Sequence, residues 1–431
     1  MAIRCNFSEG CGQMPELTAA NKQLEIAPVQ GQKAKKKVAF IFNHSLFQGG
    51  GEISFFELVK GLDRNLFEPL VIVPGQGEIK TRTSERGMEV RVCPFPSLRS
   101  MGRGLPFGAL VKLFRMLRQN RVDLIHVNGS RACFYGGIAG RLLAIPVIWH
   151  VRETIQDRKA YDRLLASFSA AIICVSRSVQ IKRFAKFGPG VCKKLQVVYN
   201  GVDTQHFIKD ATDRAKIRLQ LEIGNRSLFG IVGNMIPLKG QAFFLNAVAE
   251  AKKMQPDVEI KAVFIGRYLD TDYKERLYRL TADLNLRDDV IFKGYCDNIS
   301  AYLSACDVFV LPSQREGCSR ALLEAMSSGL PVIASKISEI EEVVQTDRNA
   351  ILVEYGNVFQ MATAITKLAE NKRLRELLGN ENEKRAEAIF GLQAHVDCIQ
   401  GVYKNLLMKS NKEKNYAHCP AANIPPEGRL V

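Results

Sequence analysis

Apolar and polar positions follow two periods along this chain. Short apolar runs of strand character recur at residues 38–42, 70–73, 90–92, 123–127, 145–150, 170–176 and 196–203. Between them lie segments whose apolar residues return every three or four positions, as on one face of a helix. Leu110, Leu113, Phe114 and Leu117 form one such face, and a Gly/Ala-rich helix is predicted over 133–143. The alternation lapses in the polar segment 205–228 and restarts at 229–232. Strands follow at 262–265, 290–294, 307–311, 332–334 and 350–353, then helical patterns over 358–378 and 381–408. Alternating strands and helices predict an α/β protein with parallel, doubly wound sheets, and the restart predicts two of them. The expected organisation is a first Rossmann-like domain over 37–205, a second over 206–385 and a terminal helix over 386–408. Residues 1–36 and 409–431 are polar and are expected to be flexible, the tail because Pro420, Pro425 and Pro426 break any regular pattern.

Open parallel sheets bind ligands at the carboxyl ends of their strands, so the loops there hold the candidate chemistry. Gly49, Gly50 and Gly51 precede Glu52 at the start of a helix predicted over 53–62, where backbone amides can approach a phosphate or a sugar. His150 ends its strand, and Arg152 follows it as a phosphate or acceptor contact or as a surface partner of Glu153. The chain from Glu316 to Glu324 reads as polar loop, then helix, with Ser319 at the cap, Ala321, Leu322, Ala325 and Met326 at helical spacing, and Gly329 as the stop. It places a carboxylate, the free N–H groups of a helix start and a second carboxylate in sequence, the order of sugar, diphosphate and ribose in a nucleotide-sugar. By spacing alone, a capped surface helix with two solvated glutamates accounts for it.

The run from Glu316 to Ala334 resembles the E-x7-E signature, within EG-x4-LLEAM-x2-G-x-PVIA, of retaining glycosyltransferase family 4, which has the GT-B fold. The resemblance extends over about 38–408. It implies two Rossmann-like domains with the donor between them and a last helix crossing back to the first. It implies that Glu316 holds donor-sugar hydroxyls, Glu324 the ribose hydroxyls, and His150 the donor sugar. Gly50 and Gly51 would lie against the donor diphosphate or the acceptor. Lys239, with the backbone around Gly317, Cys318 and Ser319, would carry the departing diphosphate. Asn234 stands where the family commonly has arginine; it can donate a hydrogen bond but brings no charge, so Lys239 or Arg267 is expected to compensate. Tyr295 is placed near the base. Asp270 and Asp272 form a DxD, the metal motif of a different glycosyltransferase fold, and read better as helix-start caps. No metal or cofactor is expected. The implied activity is transfer from a nucleoside-diphosphate sugar to a glycan or lipid-linked acceptor in cell-surface polysaccharide or lipopolysaccharide assembly. A sugar-nucleotide epimerase or hydrolase, and a non-catalytic nucleotide-sugar or lipid binder, are the alternatives on the same scaffold.

Charge adds a second theme. The chain has a net charge of +16, and residues 31–205 alone hold 28 basic and 12 acidic side chains. Between Arg91 and Arg121 lie seven basic residues and no acidic one, among them Arg99, Arg103, Lys112, Arg115 and Arg118. Such a segment is either an anionic-membrane surface or a helix packed on the sheet with a basic solvent face. It lacks a nucleic-acid reader motif, so no nucleic-acid partner is expected. No apolar run approaches a membrane span and no signal-peptide layout opens the chain, so a cytoplasmic protein, peripheral on the inner face of the plasma membrane, is expected. The 11 cysteines have no paired spacing and are expected to be reduced.

Overall fold

The computed structural model describes residues 35–47, 49–96, 107–154, 159–346 and 348–408. The expected flexible ends therefore lie almost wholly outside the described residues, as do Arg99 and Arg103. Seven parallel strands build the first sheet: β1 (Lys36–Ile41), β2 (Phe67–Val73), β3 (Glu89–Val92), β4 (Leu124–Asn128), β5 (Val147–Val151), β6 (Ala171–Cys174) and β7 (Leu195–Val197). Their spatial order is β3-β2-β1-β4-β5-β6-β7. Six parallel strands build the second: β8 (Ser227–Val232), β9 (Ile260–Ile265), β10 (Val290–Gly294), β11 (Val308–Leu311), β12 (Val332–Ser335) and β13 (Ala350–Val353), ordered β10-β9-β8-β11-β12-β13. Both are doubly wound Rossmann-like sheets that reverse direction beside their first strand, the place where such sheets open a ligand crevice. Strands such as β4, β5 and β12 are buried at every position, which is why they read as continuous apolar runs rather than alternating ones.

Three details differ from the sequence reading. β1 begins at Lys36, so the end of the basic cluster is structured: Lys36 pairs with Asp123 at 2.8 Å, and Lys37 with Glu68 and Glu89 at 3.0 and 3.2 Å. The pattern at 381–408 is two helices, Lys372–Phe390 and Leu392–Leu407, broken at Gly391. Gly391 takes an extended ψ of 139°, and the break frees backbone groups for the interdomain connection: Val202 N–H donates to Phe390 O at 2.8 Å, and Leu392 N–H donates to Val202 O at 2.9 Å. Beyond that break the helix crosses back onto the first domain. There Tyr403 packs on Phe40 and Phe67, and Asp63 N–H donates to Gln400 at 2.8 Å. Lastly, Cys93, Cys133, Cys174, Cys192, Cys296, Cys306 and Cys318 are free thiols, but Cys398 is disulfide-bonded, against the expectation of reduced cysteines throughout.

Candidate active site

The carboxyl ends of the two sheets face each other across a cleft of about 620 Å³. Its lining includes Gly49, Gly50 and Gly51 from the first domain and Asn234, Lys239, Arg267, Tyr295, Glu316, Gly317, Cys318, Ser319 and Glu324 from the second. The stretch from Glu316 forms because β11 ends in a Pro312 loop and Ser319 then caps helix Arg320–Ser327, its hydroxyl accepting from Leu322 N–H at 3.4 Å. No described group accepts from the backbone N–H groups of Gly317 to Ala321, so this helix start is open to an anion.

Both glutamates carry a cation. Lys239, at the end of the turn Pro237–Lys239, places Nζ 2.7 and 2.9 Å from the two oxygens of Glu316, and the Ser313 hydroxyl donates to the same carboxylate at 2.7 Å. Arg320 Nε donates to Glu324 Oε1 at 2.5 Å. Burial raises the Glu324 carboxyl, and the adjacent Arg320 guanidinium opposes that shift. Each carboxylate is fixed in place by its cation and keeps lone pairs with which it can accept from hydroxyl groups. Burial pushes the Cys318 thiol up to about 12, so its side chain is a neutral wall.

The two domains touch closely here. A Cβ on Gly317 would lie 2.0 Å from the Arg152 carbonyl oxygen, so only glycine permits this approach. Gly50 serves the same closeness from the other side, where a Cβ would fall 3.2 Å from Arg320 Cβ, whereas Gly51 packs within its own domain, where a Cβ would fall 3.1 Å from Arg152 Cδ. Asn200 bridges the domains, its Nδ2 donating to Cys318 O at 2.9 Å.

Arg152 is a cleft residue rather than a surface partner of Glu153. Its Nε and Nη1 donate to Asn128 and Asn200, each at 2.7 Å, and burial lowers it to about 10, still cationic. His150 lies beneath it, fully buried and outside the cleft lining. His150 Nδ1 sits 3.4 Å from Arg152 Nη2 and 3.2 Å from His126 Nε2, and His126 Nδ1 sits 2.6 Å from the Tyr403 hydroxyl. Burial first, and the neighbouring Arg152 second, hold both histidines well below the usual range, so they are neutral. Placed so, His150 backs Arg152 through Nδ1, while its Nε2 is buried without a hydrogen-bond partner among the described residues.

Asn234 lines the cleft and its carbonyl accepts from Gln241 at 3.0 Å. Arg267 donates to Glu78 across the cleft at 2.8 Å and lies 3.8 Å over the Tyr295 ring. The Tyr295 hydroxyl donates to Asp297 at 2.9 Å, which also accepts from Arg82 of the first domain at 2.9 Å. Asp203 braces its turn, accepting from Gln205 and His206 N–H. Asp270 caps helix Thr271–Asp283 through Tyr273 N–H at 3.0 Å, as the cap reading of that DxD expects. Lys112, Arg115 and Arg118 do not join the cleft; they are exposed on helix Phe107–Gln119. Sequence reasoning passed over Arg320, Arg82, Asp297, Glu78, His126 and the bridging role of Asn200. Only Arg320 left a local signal, standing four residues before Glu324.

Residues 213–385 match the family described as glycosyl transferases group 1, and residues 48–206 match glycosyltransferase family 4. The chain is 26% identical over 384 residues to the UDP-Gal:alpha-D-GlcNAc-diphosphoundecaprenol alpha-1,3-galactosyltransferase of Escherichia coli, across 83% of this chain and 96% of that one. It is 27% identical over 226 residues to a GDP-mannose-dependent alpha-(1-6)-phosphatidylinositol monomannoside mannosyltransferase of Mycolicibacterium smegmatis, across 50% of this chain and 57% of that one. Among solved structures, Anabaena HepE in complex with UDP shares the fold with a TM-score of 0.75 at 23% identity, covering 85% of this chain and 99% of that one.

Proposed function

The chain belongs to the glycosyltransferases of family 4 and group 1, and from that premise we propose that it moves a glycosyl unit from a nucleoside-diphosphate sugar to a glycan or lipid-linked acceptor, with retention at the anomeric carbon. The observation that carries this reading is the Lys239–Glu316 pair beside the open helix start at Ser319, facing the Gly50–Gly51 loop of the other domain. Glu316 accepts donor-sugar hydroxyls and Glu324 the ribose hydroxyls. As the bond from the anomeric carbon to the diphosphate oxygen breaks, charge grows on that oxygen. Lys239 and the free N–H groups from Gly317 onward stabilise it, a preorganised electrostatic effect. The acceptor oxygen forms its bond on the face the diphosphate leaves, and its proton passes to the departing diphosphate. This reading assigns no metal to the departure. The resemblance of the Glu316–Glu324 spacing to the retaining family supports the stereochemistry. The Escherichia coli relative, named for a UDP-sugar and a diphosphoundecaprenol acceptor, supports a lipid-linked acceptor and a place in cell-surface polysaccharide assembly.

An anionic membrane surface is the further partner this reading assigns to the first domain. Helix Phe107–Gln119 exposes Phe107 beside Lys112, Arg115 and Arg118, and an apolar groove runs from Phe107, Leu110 and Phe114 to Ile138 and Leu142. Apolar side chains flanked by cations suit a headgroup boundary. Among the described residues no helix is long and apolar enough to cross a membrane, so the assigned mode is peripheral, at the cytoplasmic face.

A thermal-shift panel of UDP-, GDP- and ADP-sugars tests the donor assignment, since a ligand of the native state raises the midpoint. Glu316→Ala should abolish transfer while leaving nucleotide binding largely intact; normal turnover in that variant would sink its role. Sugar release or isomerisation without acceptor, at the rate seen with it, would instead identify an epimerase or hydrolase.

A further inference from the structure

A nucleoside diphosphate brings at least two negative charges into the cleft, and most cations there are already committed. Lys239 is bidentate to Glu316, Arg267 is held by Glu78 and stacked on Tyr295, and Arg82 is held by Asp297. Arg152 is fixed between two amides of its own domain. Arg267 also has a buried nitrogen, Nε, without a hydrogen-bond partner among the described residues, but its side chain is 31% exposed, and Arg320 lies deeper. It is the first residue of helix Arg320–Ser327, lines the cleft, and is one-tenth exposed (10%). One of its donors, Nε, serves Glu324. Another, Nη1, is buried and has no hydrogen-bond partner among the described residues. A guanidinium has five N–H donors in a rigid fork, and a buried donor without a partner is costly until something accepts from it. Arg320 is itself the first residue of the helix whose starting backbone N–H groups are open. The Gly50 backbone rests against the Arg320 stem, so no side chain of the glycine loop covers it.

Resting on the reading that this cleft takes a nucleoside-diphosphate sugar, we propose that Arg320 is a donor-binding residue. Its Nε turns Glu324 toward the ribose hydroxyls, and its remaining N–H donors take a non-bridging oxygen of the diphosphate. It thereby supplies the cation that Asn234 does not. A guanidinium fork bridging carboxylate and phosphate does both tasks from one residue, which a lysine cannot.

Calorimetric titration of the full chain with UDP, GDP and ADP, and with the nucleoside of whichever base binds, tests this. Wild type should bind one diphosphate. Arg320→Met should weaken that diphosphate about tenfold or more, and the nucleoside by a clearly smaller factor that reports the loss of the Glu324 contact alone. Arg320→Lys should recover part of the loss by charge alone. Asn234→Arg added to Arg320→Met should recover most of it. Equal loss for diphosphate and nucleoside would mean that Arg320 acts only through Glu324, and unchanged diphosphate affinity in both Arg320→Met and Arg320→Lys would remove it from the donor site. Either result overturns the proposal while leaving the transferase reading standing. Failure of wild type to bind any of the three diphosphates would instead overturn the donor reading itself.

Discussion

The two ends of the interdomain cleft are built differently. At the β6/β12 end, Glu342 of the second domain accepts from Arg177 N–H at 2.8 Å, Ser178 N–H at 2.5 Å and the Tyr199 hydroxyl at 2.8 Å. It stands at the start of helix Arg177–Phe184, where the helix dipole favours a carboxylate. Glu339, which is fully buried, pairs with Lys182 beside it at 2.7 Å. At the β2/β10 end the domains meet through Glu78–Arg267 and Arg82–Asp297, whose side chains are 33% and 31%, and 40% and 71%, exposed. Separating the first end would strip several partly buried donors of their acceptor. Separating the second exchanges solvated ion pairs for water at little cost. The β6/β12 end, the hinge of this comparison, is therefore the more firmly joined, and the β2/β10 end, its mouth, is the one that parts at less cost.

Acid should break this contrast in a defined order. His395, on the crossing helix, bonds the Tyr199 carbonyl at 2.6 Å, so it sits one residue link from Glu342. Burial lowers it from 6.5 to about 4. Its folded value lies below its unfolded one, so the unfolded chain binds the extra proton first. The neutral histidine thus contributes about 3 kcal/mol above pH 6.5 that disappears as pH falls toward 4. His126 and His150 act in the same direction. Asp297 is depressed by its Arg82 partner, so its contribution is present above the usual carboxylate range and is lost only at lower pH. Glu324, raised by burial, runs opposite to the histidines but only near and above its ordinary value of 4.5. Urea midpoints taken from pH 7 to 4 should fall through this window, and His395→Gln should flatten the fall. An unchanged slope in that variant would detach the hinge from the histidines.

Glu342→Ala should be the next largest effect, about 2–3 kcal/mol of stability, because it leaves the Tyr199 hydroxyl and a helix start without an acceptor. A loss below about 0.5 kcal/mol by urea unfolding, the size of an ordinary surface change, would reverse the assignment of the hinge. Between the two ends, Asn200→Ala removes the acceptor of Arg152 and the donor to Cys318 O, and should cost about 1–2 kcal/mol with a lower kcat. Full kcat in that variant would show that the bridge does not hold the site.

Much of the mouth and hinge was invisible to the sequence, for separable reasons. The strands were legible because buried parallel strands are apolar throughout, and so were the loops at their carboxyl ends. That same continuous burial hid the side chain direction of His150. Every residue of β5 is buried, so the period-two signal that assigns faces is absent. Its position at a strand end pointed to the ligand, whereas the polar contacts of its ring are His126 and Arg152 at Nδ1, with Nε2 buried and without a hydrogen-bond partner among the described residues. Asn200 carries a turn signal that says nothing of a second job across the interface. Glu342 with the Arg177 backbone and Arg82 with Asp297 lie 165 and 215 residues apart, and partners that far apart in sequence have no local pattern. Arg320 with Glu324 was the exception: the four-residue spacing was in plain view, but a guanidinium there looks like any surface helix pair until its burial is known.

The smallest expected effect tests the mouth itself. Arg82→Ala and Asp297→Asn should each cost less than about 1 kcal/mol of stability, because both partners of that pair are exposed and salt screens them. Their signature should appear in donor KM rather than in unfolding. If the mouth opens by exchanging these pairs for water, wild-type donor KM should shift between low and high ionic strength, and the shift should shrink in either variant. A variant in the hinge should not remove that salt dependence, since Glu342 acts through short hydrogen bonds to largely enclosed donors rather than through solvated charge. A salt response undiminished in Arg82→Ala combined with Glu78→Gln would mean that these pairs do not control opening, and the contrast between the two ends would then describe packing rather than motion.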